Sequence, residues 1–170
     1  MNAYESILTR RSCRKYLKEA ISDETIQLLL DAAMSAPSAR NTQPWHFIVV
    51  TERKILDEMA EIIPYGKMLR EAPLGFVVCG DREIQDMDGY LVQDCSAATE
   101  NILLAAHALG LGGVWLGVYP REDRMTGLRT LFALPEGILP ISAISIGVPA
   151  SPGGRADRYK EERVHRNGWN

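Results

Sequence analysis

The stretch from about Gly89 to Leu109 constrains the fold more than any other part of the chain. Its apolar residues, among them Leu91, Cys95, Ala98, Ile102, Leu103 and Ala106, recur at helical spacing but spread over more than one face. A helix apolar around most of its circumference is buried nearly all round, so the rest of the chain must pack against several sides of it. Four short apolar runs, Trp45 to Val50, Gly75 to Cys79, Val114 to Val118 and Ile141 to Ile146, read as strands. They are apolar on both faces, as in a sheet covered by helices on each side. Shorter helices are expected over residues 2–9, from Ser22 as N-cap to a stop at Pro37, from Arg53 to Ile63, and near Arg121 to Phe132. Gly110 and Gly112 end the long helix. Residues 1–170 are expected to form one domain.

Charge is unevenly spread. Residues 1–18 hold five Lys/Arg against one acid, and residues 151–170 hold five against three, while the body between them is acidic. Basic ends on an acidic body suit a small anion held where the termini meet better than a nucleic acid. Beyond Pro149 the breaker cluster Ser151-Pro152-Gly153-Gly154 introduces a polar, basic tail ending in Trp169-Asn170. An aromatic residue so near a chain end needs a surface to bury on, so the tail is expected to be tied down elsewhere. Cys79 and Cys95 read as small core residues, and the three cysteines form no CxxC pair or metal pattern. No apolar run reaches membrane-spanning length, and the first residues lack a signal-peptide pattern, so a cytoplasmic protein without membrane partners is expected.

Three segments carry candidate chemistry. Arg10-Arg11-Ser12-Cys13-Arg14-Lys15-Tyr16 offers cationic forks and a hydroxyl, which suit a phosphate, although a solvated basic turn has the same composition. Ser35 to Phe47 contains two prolines, small residues, and the amides of Asn41 and Gln43, which could read the edge of a heterocycle or simply join a helix to a strand. Leu109 to Pro120 is glycine-rich, but its glycines precede a strand and fail the GxGxxG dinucleotide pattern. No Gly-Lys-Ser/Thr phosphate loop, HExxH or GxSxG occurs, and His46, His107 and His165 are scattered. No protein group is expected to act as the catalytic nucleophile, acid or metal ligand.

In order, Arg10-Arg11-Ser12-x-Arg14, Ala36-Pro37-Ser38-Ala39-x-Asn41-x-Gln43-Pro44-Trp45, Gln93 to Ala98, Leu109-Gly110-Leu111-Gly112 and Arg158 resemble the FMN-dependent nitroreductase family. The resemblance implies an α+β fold, a three-layer α/β/α sandwich with a mixed central sheet. It also implies an intertwined homodimer that exchanges C-terminal arms, with residues 151–170 packing on the partner. Arg10, Arg11, Ser12 and Arg158 then match positions that hold the FMN phosphate, and Arg14 a position beside the N1/O2 edge of the flavin. Pro37, Ser38, Ala39 and Asn41 match a loop given by the other subunit. Leu116, Gly117 and Val118 match the backbone near N5 and O4, and Lys67 a second cation near the ring. The implied activity is reduction of nitroaromatic, quinone, flavin or similar small-molecule acceptors by NADH or NADPH, in a ping-pong scheme. The flavin carries that chemistry, which explains why no triad or metal cluster is seen. Reduction places negative charge at N1/O2, and roughly 1.4 kcal/mol of preferential stabilisation there shifts a two-electron potential by about 30 mV.

A non-catalytic flavin sensor or carrier would use the same phosphate contacts. A nucleic-acid binder with basic arms is the third reading, against which the acidic body argues. Dehalogenating and flavin-fragmenting members share the family pattern. Residues 65–90 are expected to shape the acceptor pocket, in which Met68, Leu69 and Tyr90 do not identify the ligand.

Overall fold

The long helix forms where its apolar circumference places it. In the computed structural model it is α4, Asp88–Ala108. It ends in a Schellman turn: the Leu111 N–H donates to Ala106 O at 2.8 Å and the Gly110 N–H to His107 O at 3.1 Å. Gly110 carries the turn at φ 81°, a left-handed value that glycine adopts without a side-chain clash. The structure describes residues 1–151 and 153–169; Pro152 of the breaker cluster and Asn170 at the end of the tail lie outside the described residues.

Around α4 run α1 (Ala3–Thr9), α2 (Asp23–Met34), α3 (Arg53–Ile62) and α5 (Glu122–Leu131). The strands are β1 (Trp45–Val50), β2 (Leu74–Asp81), β3 (Gly112–Gly117) and β4 (Ile138–Gly147). Ser22 does cap α2, its hydroxyl accepting from the Thr25 N–H. Three short 3-10 turns, Ala39–Asn41, Lys67–Arg70 and Glu161–Arg163, had no sequence signal in the reading above.

The sheet order is β1-β2-β4-β3, and all three ladders are antiparallel. The expected mixed sheet is therefore corrected. β2 and β3 do run parallel, joined by the α4 crossover, but β4 inserts between them and pairs antiparallel with both. Among the described residues a parallel contact survives only as the isolated bridge Ser12–Gly113. β3 also starts two residues earlier than expected and stops at Gly117, leaving Val118 beyond it. Gly112 and Gly113 read as a turn but are strand residues, because neighbours pack against their bare Cα atoms. A Cβ on Gly112 would lie 2.7 Å from Cys13 Cβ, and one on Gly113 3.1 Å from Leu103 Cδ2.

Helices meet both faces of the sheet. A Cβ on Gly75 would meet Leu56 of α3 at 2.8 Å, whereas one on Gly80 would meet Leu91 of α4 at 2.5 Å. The two glycines are an odd number of residues apart on one strand and so face opposite ways. Behind α4 lie α2, tied by Asn101 Nδ2 donating to Ala32 O at 2.9 Å, and α1, tied by the Thr9–His107 hydrogen bond. Cys79 and Cys95 are buried in the core, as expected, and burial pushes both thiols up to about 12. Met68 and Leu69 are buried there too, at 8% and 0% exposure, which corrects their placement in a pocket. Among the described residues no helix is long and apolar enough to cross a membrane, and no group of His, Cys, Asp or Glu could hold a metal ion.

Candidate cofactor site

The basic N-terminal segment is stitched to the outer edge of β3. Cys13 donates its N–H to Gly113 O at 2.9 Å. Tyr16 is buried, and its hydroxyl bonds Cys13 O at 2.8 Å and Ser145 Oγ at 2.7 Å. Leu17 N–H donates to Val148 O and Ala150 N–H to Lys15 O, so the chain leaving β4 tracks alongside residues 15–17. These bonds bring the two basic ends together. Arg10, Arg11, Arg155 and Arg158 line one cavity of 940 Å³. Arg11 folds back on the open carbonyls at the end of α1, its Nη2 donating to Leu8 O at 2.9 Å. Burial, then the like charges of Arg158 and Arg10, hold the Arg11 pKa below its ordinary value. Arg10 is partly engaged, its Nε lying 3.1 Å from Glu100 Oε1.

A second cavity, of 480 Å³, is lined by Arg11, Ser12, Arg14 and Lys15 together with His107. His107 Nε2 lies 2.7 Å from Thr9 Oγ1. Burial, then Arg10 and Arg11, depress its pKa, so its imidazole adds no fixed positive charge near neutral pH. Ser12 and Arg14 are exposed, and Arg14 has no ion pair among the described residues.

The outer edge of β3 supplies backbone groups. Gly113 O points outward to Cys13, and Val118 N–H points inward to Ile141 O at 3.3 Å. Because backbone direction alternates along a strand, Gly113, Trp115 and Gly117 turn their amides outward, and Leu116 turns its amide toward β4. Of Leu116, Gly117 and Val118, only Gly117 therefore offers its amide at the open edge. Val118 is fully buried and its N–H is engaged with Ile141 O, so it backs the edge from within the sheet. Gly117 O accepts from Arg124 Nη1, and the Gly117 N–H faces the same open edge. Arg14, Leu116, Gly117 and Arg124 share a cavity of 170 Å³ with Ile63, Pro64, Tyr65, Val114 and Trp115. Lys67 is exposed two residues past Tyr65 and is not among its lining residues.

Pro37, Ser38, Ala39 and Asn41 lie elsewhere. Their loop precedes β1, the opposite outer strand, three strand spacings or roughly 14 Å from β3. Arg40, Asn41 and Gln43 hold φ values of 53°, 55° and 51°. What fixes this loop is Asp94 of α4, only 5% exposed, whose Oδ1 accepts the Ala39 N–H at 3.0 Å. Ser38 Oγ closes the turn by accepting the Gln43 N–H at 3.0 Å. Asp94→Ala is expected to destabilise the fold by about 1–3 kcal/mol, because it leaves the Ala39 donor unpaired. Asp94→Asn keeps the acceptor and should recover most of that loss. Urea midpoints of the two variants check this, and equal midpoints would contradict the anchor.

The sequence pattern that describes the nitroreductase family matches residues 7–65 and 64–148. The chain belongs to the nitroreductase family. Its nitroreductase match runs from α1 past the end of β4 and leaves the C-terminal tail outside. A relative from Archaeoglobus fulgidus, named provisionally as an NADH dehydrogenase/NAD(P)H nitroreductase, is 52% identical over 167 residues, covering 96% of each chain. A crystal structure from Parabacteroides distasonis with the same provisional name has a TM-score of 0.94 at 43% identity, covering 99% of this chain and 100% of that one. A nitroreductase from Desulfovibrio desulfuricans, also provisionally named, in complex with FMN, has a TM-score of 0.85 at 35% identity, covering 100% of this chain and 99% of that one. Within this nitroreductase fold the structure gives Asp94, Glu100 and Arg124 contacts at or near the site that motif reading had not assigned. Asp94 alone left a signal, a carboxylate amid the apolar positions of a buried helix.

Proposed function

We propose that this chain is an FMN-dependent NAD(P)H oxidoreductase that reduces nitroaromatic, quinone, flavin or similar electron-poor small molecules and works as a homodimer. The observation that carries the reading is the convergence of Arg10, Arg11 and Arg158 from opposite ends of the chain, with Glu100 their one ion-pair partner among the described residues. The crowding of Arg11 by like charges is relieved by an anion of charge near −2, which fits a flavin phosphate. Arg10, Arg11, Ser12 and Arg158 hold that phosphate. Arg14 would stand beside the N1/O2 edge of the ring, and the Gly117 N–H would be the donor available to its N5/O4 side. Lys67 is a second cation at the ring's rim.

The separation of the Pro37-Ser38-Ala39-x-Asn41 loop from β3 supports a site built from two copies, each lending this loop to the other. The same dimer buries the tail: Tyr159, Val164 and Trp169 are 72%, 51% and 87% exposed in one chain, where Trp169 stacks on His165. Arm exchange over residues 151–170 would cover them and complete a three-layer α/β/α sandwich with its partner. The free thiols suit the reducing cytoplasm.

FMN, when bound here, would supply two-electron hydride chemistry between NADH or NADPH and the acceptor. The chain's part is to bind, orient and bias. The arginines fix the phosphate end, and the Gly117 N–H sets the in-plane orientation. The Arg14 guanidinium favours the more negative of the cofactor's two oxidation states.

Anaerobic mixing of the yellow protein with NADH or NADPH tests the reading. Rapid bleaching is expected, and colour that persists with both nucleotides would favour a carrier. Arg14→Ala should weaken FMN binding about tenfold or move the potential about 30 mV more negative. Wild-type values of both would remove Arg14 from its role.

A further inference from the structure

The 170 Å³ cavity at the open edge of β3 holds two guanidiniums, Arg14 and Arg124. Under the proposed function Arg14 and Gly117 serve the flavin edge; Arg124 has no such duty and stands beside them. It sits in the first turn of α5, anchored by one bond from Nη1 to Gly117 O. Its Nε is buried without a hydrogen-bond partner, and Arg124 forms no ion pair among the described residues. The other walls, Ile63, Pro64, Tyr65, Val114, Trp115 and Leu116, bring no carboxylate. Tyr65 stands at this rim, 87% exposed. A pocket that sets apolar side chains beside a planar cation held at Nη1 selects an anionic oxygen group, which the guanidinium's remaining N–H donors meet. At 170 Å³ it is smaller than a usual ligand pocket of about 300 Å³ or more, so it receives a substituent of a ligand whose body lies outside it.

We propose that Arg124 is a specificity residue that recognises the carboxylate of an anionic electron acceptor. This rests on the oxidoreductase reading and narrows its substrate class to acceptors carrying an anionic oxygen group next to the reducible one. For a nitrobenzoate the first two-electron step converts the nitro group to nitroso and releases water. NAD(P)H is the two-electron donor, oxidised to NAD(P)+, and solvent supplies the proton.

The test compares 4-nitrobenzoate with its neutral isostere 4-nitrobenzamide on the FMN-loaded protein. Affinities come from perturbation of the oxidised flavin spectrum, and kcat/KM from NAD(P)H consumption. Wild type should favour the benzoate, and Arg124→Met should lower the benzoate-to-amide ratio about tenfold in both measurements. Arg124→Lys, which keeps the charge, should retain part of the preference. An unchanged ratio in Arg124→Met, or no preference in wild type, overturns the proposal. Should Arg124→Met fail to hold FMN, a salt series on wild type decides: the preference should shrink between about 0.05 and about 0.5 M salt as screening shortens to a few ångströms, and a preference indifferent to salt overturns it. A protein that takes up no FMN, or is not bleached by either nucleotide, instead refutes the oxidoreductase reading itself.

Discussion

A chain ending at residue 154 is expected to bind FMN at least about a hundredfold more weakly than the full chain and to run as a monomer. The affinity loss follows from removing Arg158 and Arg155 from the cavity they share with Arg10 and Arg11. Charge-assisted hydrogen bonds contribute roughly 1.5–3 kcal/mol each, and about 2.7 kcal/mol is a hundredfold. The change of assembly follows from the tail's exposed aromatics, Tyr159 and Trp169, which a single chain leaves in water. Flavin fluorescence titration reads the first effect, and light scattering during size exclusion reads the second. A truncated protein that stays yellow and dimeric would dissociate the arm from both roles.

Gly112→Val should be nearly as damaging, through the fold. A Cβ at this position would lie 2.7 Å from Cys13 Cβ, 2.8 Å from its sulfur and 3.2 Å from Pro149 Cβ. Neither neighbour can swing away freely, because Cys13 is bonded to Gly113 through its N–H and Ala150 to Lys15. The N-terminal segment must lift off β3, carrying Ser12 and Arg14 with it. Overpacking of this kind costs about 1–3 kcal/mol, and the displaced cations should reduce FMN affinity by tenfold or more. Thermal unfolding and flavin titration measure the two effects. A variant with both at wild-type values would show that residues 12–14 do not depend on this contact.

The same position shows how far the sequence could be read. Apolar periodicity located every main helix and strand, because burial is written residue by residue along the chain. It misjudged Gly112 and Gly113, whose meaning lies in what approaches them: Cys13 from 99 residues earlier, and Leu103 from α4. It could not foresee that β4 would enter between β2 and β3, since strand order depends on pairings between distant segments. At the site, the clustered arginines were legible because their charge is local, and their part as an anion cradle is the proposal that the truncation above tests. The limits of Val118 were not, because they follow from which way its N–H turns. Nor were the partner of Asp94, whose buried carboxylate was the one visible signal, and the Arg124 clamp on Gly117, because each is a single long-range or cross-element bond. Met68 and Leu69 were placed in a pocket on position alone, and they proved to be core.

The central position of β4 has a consequence for synthesis. Until residue 147 has left the ribosome, β2 and β3 each lack a neighbour, and both would present apolar edges to other nascent chains. The groove that receives the first basic segment cannot exist before β3 is seated. A stalled translation product should therefore be sticky and colourless, and uptake of the yellow pigment would report that the whole polypeptide has been made.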